Sequence, residues 1–179
     1  MKIENHWLTQ AIIVPTPNCD ERPIETDISL IVVHCISLPP NQFGGQYIDQ
    51  LFCNQLDPDE HPYFKEVHQL KVSAHLLIKR SGEITQYVAF NKRAWHAGKS
   101  EYKGRQKCND FSIGIELEGI ETQEYTDVQY QQLAFVCKTL LLHYPGLSTK
   151  DIVGHSNIAP GRKIDPGESF HWDNFLSKL

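Results

Sequence analysis

No stretch of this 179-residue chain stays apolar for the roughly 20 residues that a membrane-crossing helix needs, which excludes a helix of that kind. Basic residues are in the minority. Seventeen Lys and Arg stand against 22 Asp and Glu, for a formal charge of −5, and they form no stripe or block. That balance argues against a nucleic-acid partner and against a polybasic membrane contact. The five cysteines (Cys19, Cys35, Cys53, Cys108, Cys137) are odd in number, widely spread and without a C-x-x-C pair. Such usage fits a reducing compartment better than a disulfide framework. Internal repeats, low-complexity tracts and linkers are also missing, so one domain is expected over residues 1–179, with no obligate protein partner in evidence. The opening segment has no signal-peptide core, because Ala11 to Val14 is too short and polar residues interrupt what precedes it. A cytoplasmic protein is the expectation.

What is present suffices for a packed core, since 40% of residues are apolar. Ile28 to Cys35 is a nearly unbroken β-branched run and reads as a central strand covered on both faces. A strand over Val72–Lys79 turns at Ser81-Gly82 into another over Glu83–Val88. Phe111 to Gly119 alternates with period two and gives a further strand. Helices are expected over Gln46–Asn54, over Thr126–Tyr144 and near Phe170–Leu179. The second carries an apolar stripe of Tyr130, Leu133, Ala134, Cys137, Leu140 and Leu141, a Thr126 cap, and a stop at Pro145-Gly146. Ile152 to Gly154 is a short strand, Pro15–Thr26 reads as surface loop, and Gly98–Gly104 as a mobile loop able to cover a cleft. The fold class is therefore α/β (α+β): a single domain with a central mixed sheet flanked by helices.

Nine histidines are many for this length. His34 and His155 each follow an apolar strand, at the kind of edge where open sheets present ligands. Asp165 lies ten residues beyond His155 on a Pro- and Gly-bracketed loop. Two imidazoles and a carboxylate form a usual catalytic zinc set with an open fourth position. Taken alone, a strand-end histidine is more often a hydrogen-bonded core residue than a ligand. Spacing by itself does not join His34 to His155. On the alternating strand Glu116 and Glu118 share a face, so periodicity offers two candidate bases.

The segment Gly154-His-Ser-Asn-Ile-Ala-Pro-Gly-Arg-Lys-Ile-Asp-Pro-Gly167 closely resembles the signature of the AmpD-type N-acetylmuramoyl-L-alanine amidases. Val33-His34, Ser73-Ala-His75, Trp95-His-Ala-Gly98 and Ser112–Gly119 agree in order, so the resemblance runs over almost the whole chain. Within that family the match is to the cytoplasmic 1,6-anhydro-N-acetylmuramyl-L-alanine amidases of cell-wall recycling. The resemblance implies a mixed-sheet fold shared with phage amidases and peptidoglycan-recognition proteins. It implies Zn2+ held by His34, His155 and Asp165, with Glu116 as base and acid and Lys163 stabilising the oxyanion. The substrate implied is a small muropeptide, cut at the amide between the muramyl lactyl group and L-alanine. Two positions depart from the pattern: Asn157 stands where Asp is usual, and Cys35 follows the first ligand where Asn is expected.

Such a set makes chemical sense. Zinc acidifies water and polarises the scissile carbonyl, a carboxylate relays the proton, and a cation meets the developing negative charge. Candidate substrate contacts are the aromatic Tyr63 and Trp95, the cationic Lys71 and Lys107 with Arg105 beside them, and Cys35. Two other readings compete. A non-catalytic peptidoglycan-fragment binding module would share the fold but is expected to lose a ligand, whereas all three stand here. A thiol hydrolase built on Cys35 and His34 conflicts with the opposite facing of adjacent strand residues.

Overall fold

The computed structural model describes residues 1–179. Its centre is a six-stranded mixed sheet formed by β1 (Ile12–Ile13), β2 (Leu30–Ile36), β3 (Leu76–Ile78), β4 (Ile84–Gln86), β5 (Ser112–Glu118) and β6 (Ile152–Gly154). The lateral order is β6-β2-β5-β3-β4-β1. The first four strands of that order run parallel, β4 turns back antiparallel to β3, and β1 pairs parallel to β4 at the far edge. Five helices complete the domain: α1 (Tyr47–Phe52), α2 (Phe64–Val67), α3 (Asp127–His143), α4 (His155–Ile158) and α5 (Trp172–Leu176).

Alternation along β2 and β5 divides the interior. Ile31, Val33, Ile113, Ile115 and Leu117 point to one face, where they pack with Leu133, Cys137 and Leu140 of α3 and Phe175 of α5. Leu30 and Val32 point to the other, into a smaller cluster with Ala97, Cys108, Phe111 and Ile158. Because the period is two, His34 and Glu116 share the second face while Cys35 packs against the first. The two residues are also direct neighbours, since Glu116 is in register with His34 across the β5–β2 pair.

Helix α3 forms where the apolar stripe predicts. Thr126 caps it through a reciprocal capping box, with Thr126 Oγ1 accepting from Gln129 N and Gln129 Oε1 accepting from Thr126 N. Gln129 is fully buried, and its Nε2 donates to the carbonyls of Ile78 and Glu118, which ties the helix to the ends of β3 and β5. Every residue of the expected stripe is buried except Leu141, which is partly so.

Two expectations need correction. Pro15–Thr26 is not simply surface loop, for Cys19–Glu21 pairs with Lys92–Ala94, and Asn18 and Arg22 are buried. Polarity there is satisfied by backbone: Asn18 Nδ2 donates to the Phe52 and Val72 carbonyls, and the Arg22 guanidinium to those of Phe90, Asn109, Asp110 and Ser112. Burial without a contacting carboxylate lowers the Arg22 pKa to about 10. Residues 98–104 likewise form no cover over the cleft described below. Glu101–Tyr102 pairs with Arg105–Gln106 in a short ribbon, and Tyr102 and Lys103 anchor it to Asp151.

Replacing Leu133, which is fully buried, with Ala should cost about 2–5 kcal/mol of unfolding free energy. Leu142→Ala, at a position 90% exposed on the same helix, should stay within about 0.5 kcal/mol of the parent. Urea unfolding of both variants checks the inward face of α3.

Candidate metal centre and active site

The carboxyl ends of three adjacent parallel strands meet at one point. His34 is near the end of β2, Glu116 near the end of β5, and His155 follows β6 directly as the first residue of α4. Open parallel sheets present ligand sites at that edge. Asp165 is brought there by the return of the chain after α4, fixed where Ser156 N donates to the Asp165 carbonyl. Gly154 permits this closeness, since a Cβ there would stand 2.8 Å from Cδ of Pro166. Asn157 Oδ1 accepts from Gly154 N at 2.9 Å, a bond that an Asp oxygen could equally make, so the departure from the usual Asp keeps the local architecture.

His34, His155 and Asp165 are all buried, and three of their atoms form a nearly equilateral triangle. His34 Nδ1 lies 2.9 Å from His155 Nδ1, and each is 3.0 Å from Asp165 Oδ2. His155 Nε2 lies 3.1 Å from the Ala97 carbonyl, to which only an N–H can donate, so the neutral ring leaves Nδ1 as a bare lone pair. Two imidazole nitrogens and a carboxylate oxygen crowded at this separation lack the protons to satisfy one another. A cation resolves the conflict. Tetrahedral zinc with bonds of 2.0–2.2 Å separates its ligands by roughly 3.3 Å, close to the observed spacing, so the residues fit a divalent ion. Burial lowers the His34 pKa to about 4, which keeps the imidazole neutral as a ligand must be.

A cleft of about 550 Å³ opens onto this triangle. It is lined by the three residues together with Glu116, Lys163, Tyr63, Trp95 and Cys35, and by an apolar wall that includes Leu38, Val67 and Val72. The two acids left open by periodicity separate clearly. Glu118 is buried and satisfied, with Oε1 accepting from Gly44 N and Oε2 from Arg80 N. Glu116 faces the cleft, and its buried Oε2 has no hydrogen-bond partner. Burial, reinforced by the nearby Asp165 charge, raises the Glu116 pKa well above the ordinary carboxylate range, while Lys163 opposes the shift.

Lys163 is the one Lys or Arg among the lining residues. The structure does not bring Lys71 or Lys107 there. Lys71 is exposed outside the lining, and Lys107 borders a separate hollow with Lys99 and Arg162. Arg105 pairs instead with Asp27 and lies over the Phe111 ring. Cys35 is at the cleft edge, where burial drives its thiol pKa strongly upward, the opposite of what a nucleophile needs. Sequence reasoning did not find the Ala97 carbonyl that orients His155, because a backbone acceptor leaves no mark on residue identity. Nor did it find Val67 and Leu70 of the cleft wall, whose spacing is too short to stand out.

Residues 24–168 match the family described as N-acetylmuramoyl-L-alanine amidase. The chain is 59% identical over 169 residues to the 1,6-anhydro-N-acetylmuramyl-L-alanine amidase AmpD of Salmonella typhimurium (strain SL1344), covering 94% of this chain and 90% of that one. A crystal structure of a selenomethionine AmpD derivative superposes with a TM-score of 0.97 at 56% identity, covering 100% and 99% of the two chains. The amidase AmiD from E. coli, solved with anhydro-N-acetylmuramic acid-L-Ala-D-γ-Glu-L-Lys, superposes with a TM-score of 0.62 at 28% identity, over 85% of this chain and 57% of that one.

The contrast between the two acids is testable through stability. A carboxyl whose folded pKa is raised binds its proton more tightly when folded, so its ionisation opposes folding once pH exceeds the unfolded pKa. Glu116→Gln should therefore raise the melting temperature of metal-free protein at pH 8 and change it little at pH 4. Glu118→Ala strands two backbone donors and should lose about 1–3 kcal/mol at both. Melting curves at the two pH values check both outcomes.

Proposed function

The chain belongs to the N-acetylmuramoyl-L-alanine amidase family and is a hydrolase of that class, and we propose that it acts on 1,6-anhydro-N-acetylmuramyl peptides in the cytoplasm, during cell-wall recycling, with zinc as its metal. One observation carries the reading. Two imidazoles and a carboxylate converge at the floor of a cleft that also holds an unpartnered buried carboxylate and a single lysine. The substrate class follows from the relatives named for anhydromuramyl-alanine and from the neighbour solved with such a peptide.

His34, His155 and Asp165 would hold the ion, leaving its remaining coordination to the cleft. Zinc held there acts as a Lewis acid that acidifies water and polarises a carbonyl. The residues of the chain supply the rest. Tyr63 and Trp95 present aromatic faces to the sugar, with the apolar wall beside them excluding water. Glu116, whose proton affinity burial raises, accepts a proton from the attacking water and delivers it to the amine as the amide bond breaks. The Lys163 ammonium faces the carbonyl oxygen as negative charge accumulates on it. Expulsion of the amine leaves a carboxylate on the lactyl group and a free L-alanine amino terminus on the peptide. No helix of the chain is long and apolar enough to cross a membrane.

Digestion of defined muropeptides with and without the anhydro ring tests the assignment. Zinc-loaded protein should release peptide from the anhydro substrate and lose that activity to a chelator; intact substrate after prolonged incubation would refute it. Asp165→Ala should lose zinc and turnover together. Glu116→Ala should retain zinc while kcat falls by about 10²–10⁴, the usual contribution of a positioned acid–base group. Lys163→Ala should lower kcat by about 10²–10³ with little change in zinc content, as expected for an oxyanion-stabilising group.

A further inference from the structure

His96 takes no part in the chemistry above, yet its ring is held on several sides. Its Nδ1 lies 2.8 Å from Nε2 of His34, and its Nε2 lies 3.1 Å from Oγ of Ser112 on β5. The two rings meet edge-on, with centroids 4.9 Å apart and an interplanar angle of 82°. Below the ring is Gly114, where an added Cβ would come within 2.4–2.6 Å of three His96 ring atoms. No side chain larger than hydrogen fits at that position with the ring in place. The backbone is fixed as well, since Asn109 Oδ1 accepts from His96 N and from Ala97 N at 3.2 and 2.8 Å. The adjoining Ala97 carbonyl is the acceptor for His155 Nε2. One short segment thus reaches the outer nitrogen of both imidazoles whose inner nitrogens face Asp165.

Resting on the metal-site reading, we propose that His96 is a positioning residue: it accepts the Nε2 proton of His34 and passes hydrogen bonding on to Ser112, so that the His34 Nδ1 lone pair is aimed at the metal. The direction follows from valence. A neutral imidazole carries one N–H, so a His34 ring that ligates through Nδ1 must donate from Nε2, and His96 Nδ1 is the acceptor within reach. His96 then holds its own proton on Nε2 and donates it to the Ser112 hydroxyl. Without that acceptor, the His34 proton can move to Nδ1, where it bonds to Asp165 Oδ2 and blocks coordination. Outer partners of this kind typically govern metal affinity as strongly as they govern geometry. His75 is separate from the relay. It accepts from Gly114 N through Nδ1 and donates to the Lys92 carbonyl through Nε2, which leaves it no bond to His34.

The full chain is compared with His96→Leu, which keeps bulk and removes the acceptor, and with His96→Asn, whose Oδ1 falls near the position of Nδ1. Zinc affinity is measured by chelator competition, the metal-free melting temperature by calorimetry, and the His34 tautomer by ¹⁵N imidazole shifts. His96→Leu should bind zinc about 10–100-fold more weakly, the range found when such partners are removed, with unchanged metal-free melting. Its His34 should drift from the Nε2–H tautomer, and His96→Asn should recover most of the affinity. Zinc affinity within about twofold of the parent in His96→Leu, against that expected range, overturns the proposal. So does an Asn variant as weak as the Leu variant. If His96→Leu fails to fold, Ser112→Ala decides: weaker zinc at unchanged melting supports the relay, and unchanged zinc refutes it. Asp165→Ala separates the two readings. A parent protein that binds no more zinc than Asp165→Ala removes the metal site itself, whereas a loss in Asp165→Ala without one in His96→Leu removes only the role of His96.

Discussion

Three lone pairs held about 3 Å apart, away from bulk water, are the constraint around which this molecule is arranged. Left to themselves, His34, His155 and Asp165 would repel or force a proton between them, and burying a carboxylate is costly unless it is compensated. The fold nevertheless keeps them together. His155 is fixed from behind by the Ala97 carbonyl, His34 by His96, and Asp165 by the Ser156 amide on its own backbone. A divalent ion held there would turn this conflict into attraction.

The parallel part of the sheet makes that arrangement possible at low cost. Strands β6, β2 and β5 run side by side in one direction, so their carboxyl ends expose three positions within a few ångströms. Alternation then assigns each neighbour its task. Val33 and Ile115 face α3 and supply the core, whereas His34 and Glu116, one residue on, face the cleft. The same strands that anchor the hydrophobic interior thereby set the geometry of the site. Loops alone would hold such distances less well. Glu116 and Glu118 show how finely environment divides the work. Both lie on one face of one strand, but backbone amides satisfy the second and nothing satisfies the first. An unpaired acid costs stability and gains proton affinity, and that exchange suits a base operating near neutrality.

Much of this was legible in the residues. The β-branched run of β2, the alternation of β5 and the apolar stripe of α3 each have one periodicity and one reading, and the observed elements fall within a few residues of them. His34, His155 and Asp165 were legible through the glycine- and proline-punctuated segment 154–167 rather than through spacing, because no local rule links positions 121 residues apart. The rest was hidden for identifiable reasons. The strand at Cys19–Glu21 depends on pairing with a distant segment, and the burial of Arg22 on distant backbone carbonyls that accept from its guanidinium. A lysine's sequence neighbourhood does not reveal which surface it serves, so the residues alone offered Lys71 and Lys107 as substrate contacts although neither lines the cleft. The setting of His96 was hidden because it depends on the gap at Gly114, and the absence of a side chain has no hydropathy to read.

Anomalous diffraction at the zinc edge, from crystals of this protein grown with zinc, measures the central claim most directly. A single strong peak bonded to His34 Nδ1, His155 Nδ1 and one Asp165 oxygen, at about 2.0–2.2 Å from each, is the predicted result. No peak among those atoms, or a peak elsewhere with the three side chains turned apart, would contradict it.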